Sequence, residues 1–118
     1  TYYLDGIEQS FTQYGVYDAT VYANYIANPV VVYSVADGLN KIITQKWVHQ
    51  YLNGYEAWAD WRRTGFPVLT PAPDGTISSI PVRQGYPTPE KSLNKTNYDA
   101  AVTKLGVDNL TSKIWWNK

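Results

Sequence analysis

The chain has 118 residues, with ten basic and ten acidic side chains in balance and no run of Lys or Arg, which argues against a nucleic-acid surface. Without cysteine, disulfide frameworks, cysteine nucleophiles and thiolate metal sites are excluded, and no apolar run nears the roughly 18 residues of a membrane-spanning helix. What stands out is a 15% aromatic content of eleven Tyr, five Trp and two Phe, rings whose polar handles suit half-buried positions or surfaces on which sugars stack.

From the N-terminus, Leu4, Ile7, Phe11 and Tyr14 recur at helical spacing and predict a helix over 1–15 that Gly15 ends. No cap precedes Tyr2, as expected of a piece of a larger domain; for an exported parent, the targeting segment lies outside this chain. Asp18 is placed to cap a second helix over 19–27, with Val21, Tyr22, Tyr25 and Ile26 inward and Asn28-Pro29 closing it. After an apolar connector, Ser34 and Asp37 read as a capping box. Val35, Leu39, Ile43, Trp47 and Tyr51 then recur every four positions with Ile42 beside them, predicting one apolar helix face that must pack, and Asn53-Gly54 supplies its left-handed end. In a shorter helix that follows, Tyr55, Trp58 and Arg62 share one face and Ala57 and Trp61 the next, until Gly65 and Pro67 stop it. So short a connection makes the two helices neighbours, and Trp47, Trp58 and Trp61 are expected to be largely buried.

From Pro67 to Pro89 prolines crowd, with Asp74-Gly75 as a turn signal. Short strands are possible over 68–70 and 77–82, confined to edges by Pro71, Pro73 and Pro81. A last helix is predicted over 95–105, capped by Asn94, with Tyr98, Ala101, Val102 and Leu105 on one face and Gly106 ending it. At least one of Trp115 and Trp116 is expected to dock rather than face water. The division that follows is a helical scaffold over 1–66 and a Pro-rich region with a C-terminal helix over 67–118.

Chemistry-bearing residues are few. Glu56 and Asp60 lie four apart, as a carboxylate pair could, but Arg63 beside Asp60 makes an ion-paired surface face the simpler reading, and a glycosidase needs its acids on opposite sides of a sugar. His49 is the single histidine and reads as surface; no metal set, nucleophile motif or cofactor motif accompanies it. Arg62 and Arg63, at the end of a tryptophan-rich helix, suit carbonyl capping, ring stacking or clamping an acid. Tyr86 is the one aromatic of the Pro-rich loop beyond Phe66, and so the candidate ligand-binding ring.

Three runs together, Ile42-Ile43-Thr44-Gln45-Lys46-Trp47, Glu56 to Pro67 (EAWADWRRTGFP), and Ile80-Pro81-Val82-Arg83 with Tyr86-Pro87, resemble the C-terminal part of SusD/RagB-type outer-membrane lipoproteins. The closing Asp108-Asn109-Leu110-Thr111 and Trp115-Trp116 are similar to the same pattern. The resemblance implies a mainly α fold of tetratricopeptide-like helix pairs carrying irregular loops and few strands. It implies a surface protein, held at the outer membrane by an N-terminal lipid anchor absent here, that captures oligosaccharide or peptide nutrients as the lid of a SusC-like TonB-dependent transporter. On that reading the chain is not an enzyme, needs no cofactor or metal, and uses Trp47, Trp58, Trp61, Arg62 and Arg63 as scaffold, most ligand loops lying elsewhere. Two other classes stay open: a helical protein–protein interaction scaffold, and a glycoside hydrolase using Glu56 and Asp60.

Overall fold

Tyr3, Tyr22 and Tyr25 of the first two helices each find a use for their hydroxyl, and those bonds lay out the N-terminal half. In the computed structural model, which describes residues 1–117, α1 (Tyr2–Gln13) and α2 (Ala19–Ile26) are joined by a turn in which Gly15 takes a left-handed φ of 68°. Asp18 caps α2, its carboxylate accepting from the Thr20 and Val21 N–H groups at 2.9 Å. Phe11 of α1 lies edge-on against Tyr22 and Tyr25, while the Tyr22 hydroxyl donates to the Leu4 carbonyl (3.1 Å) and the Tyr3 hydroxyl to the Val31 carbonyl (2.6 Å).

The third helix begins later than predicted. Ser34 accepts from the Asp37 N–H as expected, but this cap opens a 3-10 turn (Val35–Asp37), and α3 runs from Gly38 to His49. Gly38 packs under the Tyr33 ring: a β-carbon there would lie 2.7 Å from the Tyr33 hydroxyl, and that side chain would have to shift. Asn53-Gly54 does not close α3 with a left-handed residue; Asn53 has a φ of −120°, and Gly54 opens α4 (Gly54–Thr64). Gly65, with a φ of 76°, ends α4 as predicted.

The apolar stripe of α3 corrects the reading of its periodicity. Exposure along it runs from 90% at Val35 through 57% at Leu39 to 6% at Ile43, then back through 41% at Trp47 to 80% at Tyr51. A helix of 3.6 residues per turn carries a strict four-residue repeat round its axis by about 40° per step, so Leu39, Ile43 and Trp47, the three within α3, span roughly 80°, and Val35 and Tyr51 lie beyond its ends. Only the middle one faces inward, and Trp47 is therefore not buried. Ile7, Val31, Ile43 and Ala57 are the buried apolar residues of the described chain.

The chain divides into two compact units, Thr1–Val68 and Leu69–Lys118, with Lys118 outside the described residues. In the second, no strand forms over 68–70 or 77–82, nor anywhere else among the described residues. The Val82 and Arg83 N–H groups both point at one acceptor, the Leu110 carbonyl, where a ladder would offer alternating partners, and prolines 71, 73 and 81 carry no N–H at all. The helical part of this unit is a single turn, α5 (Glu90–Leu93), followed by α6 (Lys95–Leu105), whose Tyr98, Ala101, Val102 and Leu105 form the half-buried face. Asn94 does not cap α6 through its side chain, which instead bonds the side chains of Glu90 and Asn97. Of the terminal pair, Trp116 is half-buried and Trp115 is exposed.

Candidate functional site

On α4, the residues singled out by sequence are joined to one another. Arg62 folds back over the Trp58 ring, its guanidinium carbon 3.6 Å from the ring centre, and its Nε donates to the Trp58 carbonyl at 3.3 Å. Burial there lowers the Arg62 guanidinium from its ordinary value. Arg63 and Lys46 hold Asp60 between them, at 3.0 Å and 2.6 Å; Arg63 pairs with it within α4, and Lys46 ties α4 to α3. Trp58 and Trp61 are half-buried, and Glu56 is exposed.

Asp60 feels opposing influences. Burial pushes its pKa up, but the hydrogen bonds and charges of Lys46 and Arg63 outweigh burial, leaving the carboxyl below the usual range. A glycosidase's acid must be held protonated near neutral pH, the opposite condition, so Asp60 does not suit the general-acid role. Replacing Arg62 by Ala removes the stack and the carbonyl bond, and should lower stability by about 1–2 kcal/mol in chemical unfolding. Ligand affinity of a longer protein carrying this sequence should stay unchanged; an affinity loss without a stability loss would make Arg62 a site residue.

The second cluster was not visible as such in the sequence. In the Pro-rich unit, the side chains of Asp108 and Arg83 are 4% and 7% exposed and are joined at 3.1 Å. The same carboxylate accepts from the Tyr86 N–H and the Tyr98 hydroxyl, both at 3.1 Å, with the Lys91 ammonium 3.7 Å away. Burial raises the Asp108 pKa, but the Tyr86 and Tyr98 bonds and then the Lys91 and Arg83 charges exceed it, so the group stays below the ordinary carboxylate range. Tyr98 is displaced upward, by burial first and by its bond to Asp108 next.

Tyr86, the candidate ring, sits on this node. Its backbone is pinned to Asp108, its ring meets Tyr98 edge-on at 5.7 Å, and the Arg83 guanidinium lies 5.5 Å from its centre, yet 37% of the residue stays open to solvent. The ring is thus held in one orientation before any ligand arrives, which lowers the entropy cost of stacking on it. Nothing in the residue order announces a pairing of Arg83 with Asp108, since 25 positions separate them.

In the N-terminal unit, α1 and α3 enclose a groove of about 550 Å³ lined by Tyr3, Ile7, Phe11, Tyr25, Gln45 and His49. Its tyrosine hydroxyls are already engaged, Tyr3 by Val31 and Tyr25 by Gln45 at 2.8 Å, which leaves a mainly apolar floor. His49 is not a free surface residue: its Nδ1 is 2.9 Å from the Ser10 hydroxyl and its carbonyl accepts from the Tyr14 hydroxyl, so it locks α3 to α1. No carboxylate orients this Ser–His contact, and it lacks the third partner of an activated nucleophile. Among the described residues there is no group of three potential metal ligands, and no helix long and apolar enough to cross a membrane.

The profile of a family described as "Starch-binding associating with outer membrane" matches residues 1–87. The chain belongs to the SusD-like family. No curated protein matches it, but solved SusD-like structures do. A SusD-like protein of Bacteroidetes AC2a is 31% identical, with a TM-score of 0.85 over 98% of this chain and 25% of its own. A chitin-binding SusD homolog from Flavobacterium johnsoniae is 32% identical, with a TM-score of 0.81 over 98% and 30%. A further chitin-binding protein is 31% identical, at 0.80 over 98% and 27%. This SusD-like chain thus spans between a quarter and a third of the length of the structures it matches. Its all-helical fold is that of the SusD-like proteins, of tetratricopeptide type.

Proposed function

We propose that this SusD-like chain is the scaffold portion of a protein that captures glycan nutrients at the bacterial cell surface without hydrolysing them. The observation that carries this reading is 31–32% identity, over 98% of the chain, to proteins described as chitin-binding. In support, the tryptophans and arginines of α4 are engaged with one another, and Asp60 is held in the form a general acid cannot use. Tyr86, fixed by Asp108 and partly open, is the ring through which this chain would contribute to a sugar site.

The finer expectations belong to the same proposal: a lipid-anchored lid at the outer membrane, working with a SusC-like TonB-dependent transporter. A protein–protein scaffold has one observation in its favour, the exposure of Leu39, Ile42, Trp47 and Val48 along α3. Native affinity electrophoresis of the longer protein carrying this sequence, in gels containing soluble chitin derivatives or starch, tests the reading. Retardation without release of reducing ends is expected; released reducing ends, or migration unaffected by any glycan, would overturn it.

A further inference from the structure

We propose that Asn53 is a site of spontaneous deamidation, an asparagine whose side chain and following nitrogen are both left free to react. The reaction is attack by the backbone nitrogen of residue 54 on the Asn53 side-chain carbonyl carbon. A C–N bond forms and closes a five-membered succinimide, the side-chain nitrogen departs as ammonia, and solvent water then opens the ring at either carbonyl to give aspartate or isoaspartate. No oxidant, reductant or enzyme enters the balance.

Three requirements meet at this turn. The following residue is Gly54, with no side chain to shield its nitrogen and nothing within 4 Å of the place a β-carbon would take. Standing first in α4, Gly54 has no acceptor within the helix, and its N–H meets no other protein acceptor either. Asn53 is exposed, its side chain makes no capping bond, and its backbone is held by the bond to the Gln50 carbonyl at 2.7 Å and by the first bond of α4 from Ala57. Ring closure has to swing ψ of Asn53 from its 66°, which costs the one bond that the Ala57 N–H makes to the Asn53 carbonyl at the helix end.

The rest of the chain supplies internal controls. The side-chain oxygen of Asn28 is bonded to the Val30 N–H, and that of Asn109 accepts from residues 111 and 112. Asn40 and Asn94 each bond two neighbouring side chains. Asp74-Gly75 has the same following glycine, but there the nitrogen is tied to the Ala72 carbonyl at 3.0 Å. The products differ in consequence. Aspartate at 53 puts a negative charge at the positive end of α4, whereas isoaspartate adds a main-chain methylene to the turn that aligns Asp60 with Lys46.

The test is to incubate the folded chain at mildly alkaline pH and map its peptides by mass spectrometry with a fragmentation that separates aspartate from isoaspartate. The expected result is a gain of one mass unit at Asn53, as both isomers, ahead of every other asparagine and suppressed in Gly54→Ala, a change that meets open space. If Asn53 stays intact while the thermally unfolded chain deamidates there, the folded turn protects it and the proposal fails. Earlier conversion at Asn109 or Asn94 would equally overturn it.

Discussion

Replacing Arg83 by Ala is expected to lower the unfolding midpoint of the chain clearly, because it strips the Asp108 carboxylate of its one buried cation. Asp108 would keep the Tyr86 N–H, the Tyr98 hydroxyl and the half-exposed Lys91, but no partner of comparable burial. Arg83→Lys should recover only part of the loss, since an ammonium cannot also reach the Gln84 carbonyl as the Arg83 Nε does at 3.0 Å. Urea unfolding followed by circular dichroism reads the change, and an unchanged midpoint would mean that water already shares the Asp108 carboxylate. The same node sets the acid response. Asp108 and Asp60 both have folded pKa values below the ordinary range, so in acid the unfolded chain binds more protons at these sites than the folded one. Their stabilisation is complete above about pH 4 and is lost as pH falls through their folded values.

The second large effect is expected at Ile43. Truncation to Ala removes the one stripe residue of α3 that is buried, and core truncations of Ile cost about 2–5 kcal/mol. Val35→Ala, on the same four-residue repeat but 90% exposed, should change stability by no more than about 0.5 kcal/mol. Equal losses at the two positions would contradict the winding of the stripe and imply that the whole row is covered.

That contrast also marks what was legible in the sequence. The first two helices, the Asp18 cap and the stop at Gly65 follow from local chemistry, and the structure has them where spacing and capping put them, whereas the bounds of α3 differ. The burial of Trp47 did not follow, because counting every fourth residue ignores the angular drift that turns an apparent face into a spiral. His49 was read as surface because its partners, Ser10 and Tyr14, lie on another helix, at separations of 39 and 35 residues. Arg62 and Arg63 could be narrowed to stacking, capping or clamping, since their partners Trp58 and Asp60 are within one turn. Arg83 and Asp108 were noticed only as members of recurring motifs, and their pairing needs the fold to bring the loop over α6.

The central claim is that this chain supports a glycan site rather than constituting one. A single stacking ring contributes about 0.5–1.5 kcal/mol beyond its buried area, far below the roughly 4 kcal/mol that even millimolar binding requires. Titration calorimetry of the 118-residue chain with chito-oligosaccharides and malto-oligosaccharides tests this directly. The account predicts no saturable heat in the micromolar range; saturable micromolar binding that Tyr86→Ala abolishes would contradict it and place the sugar site on this chain.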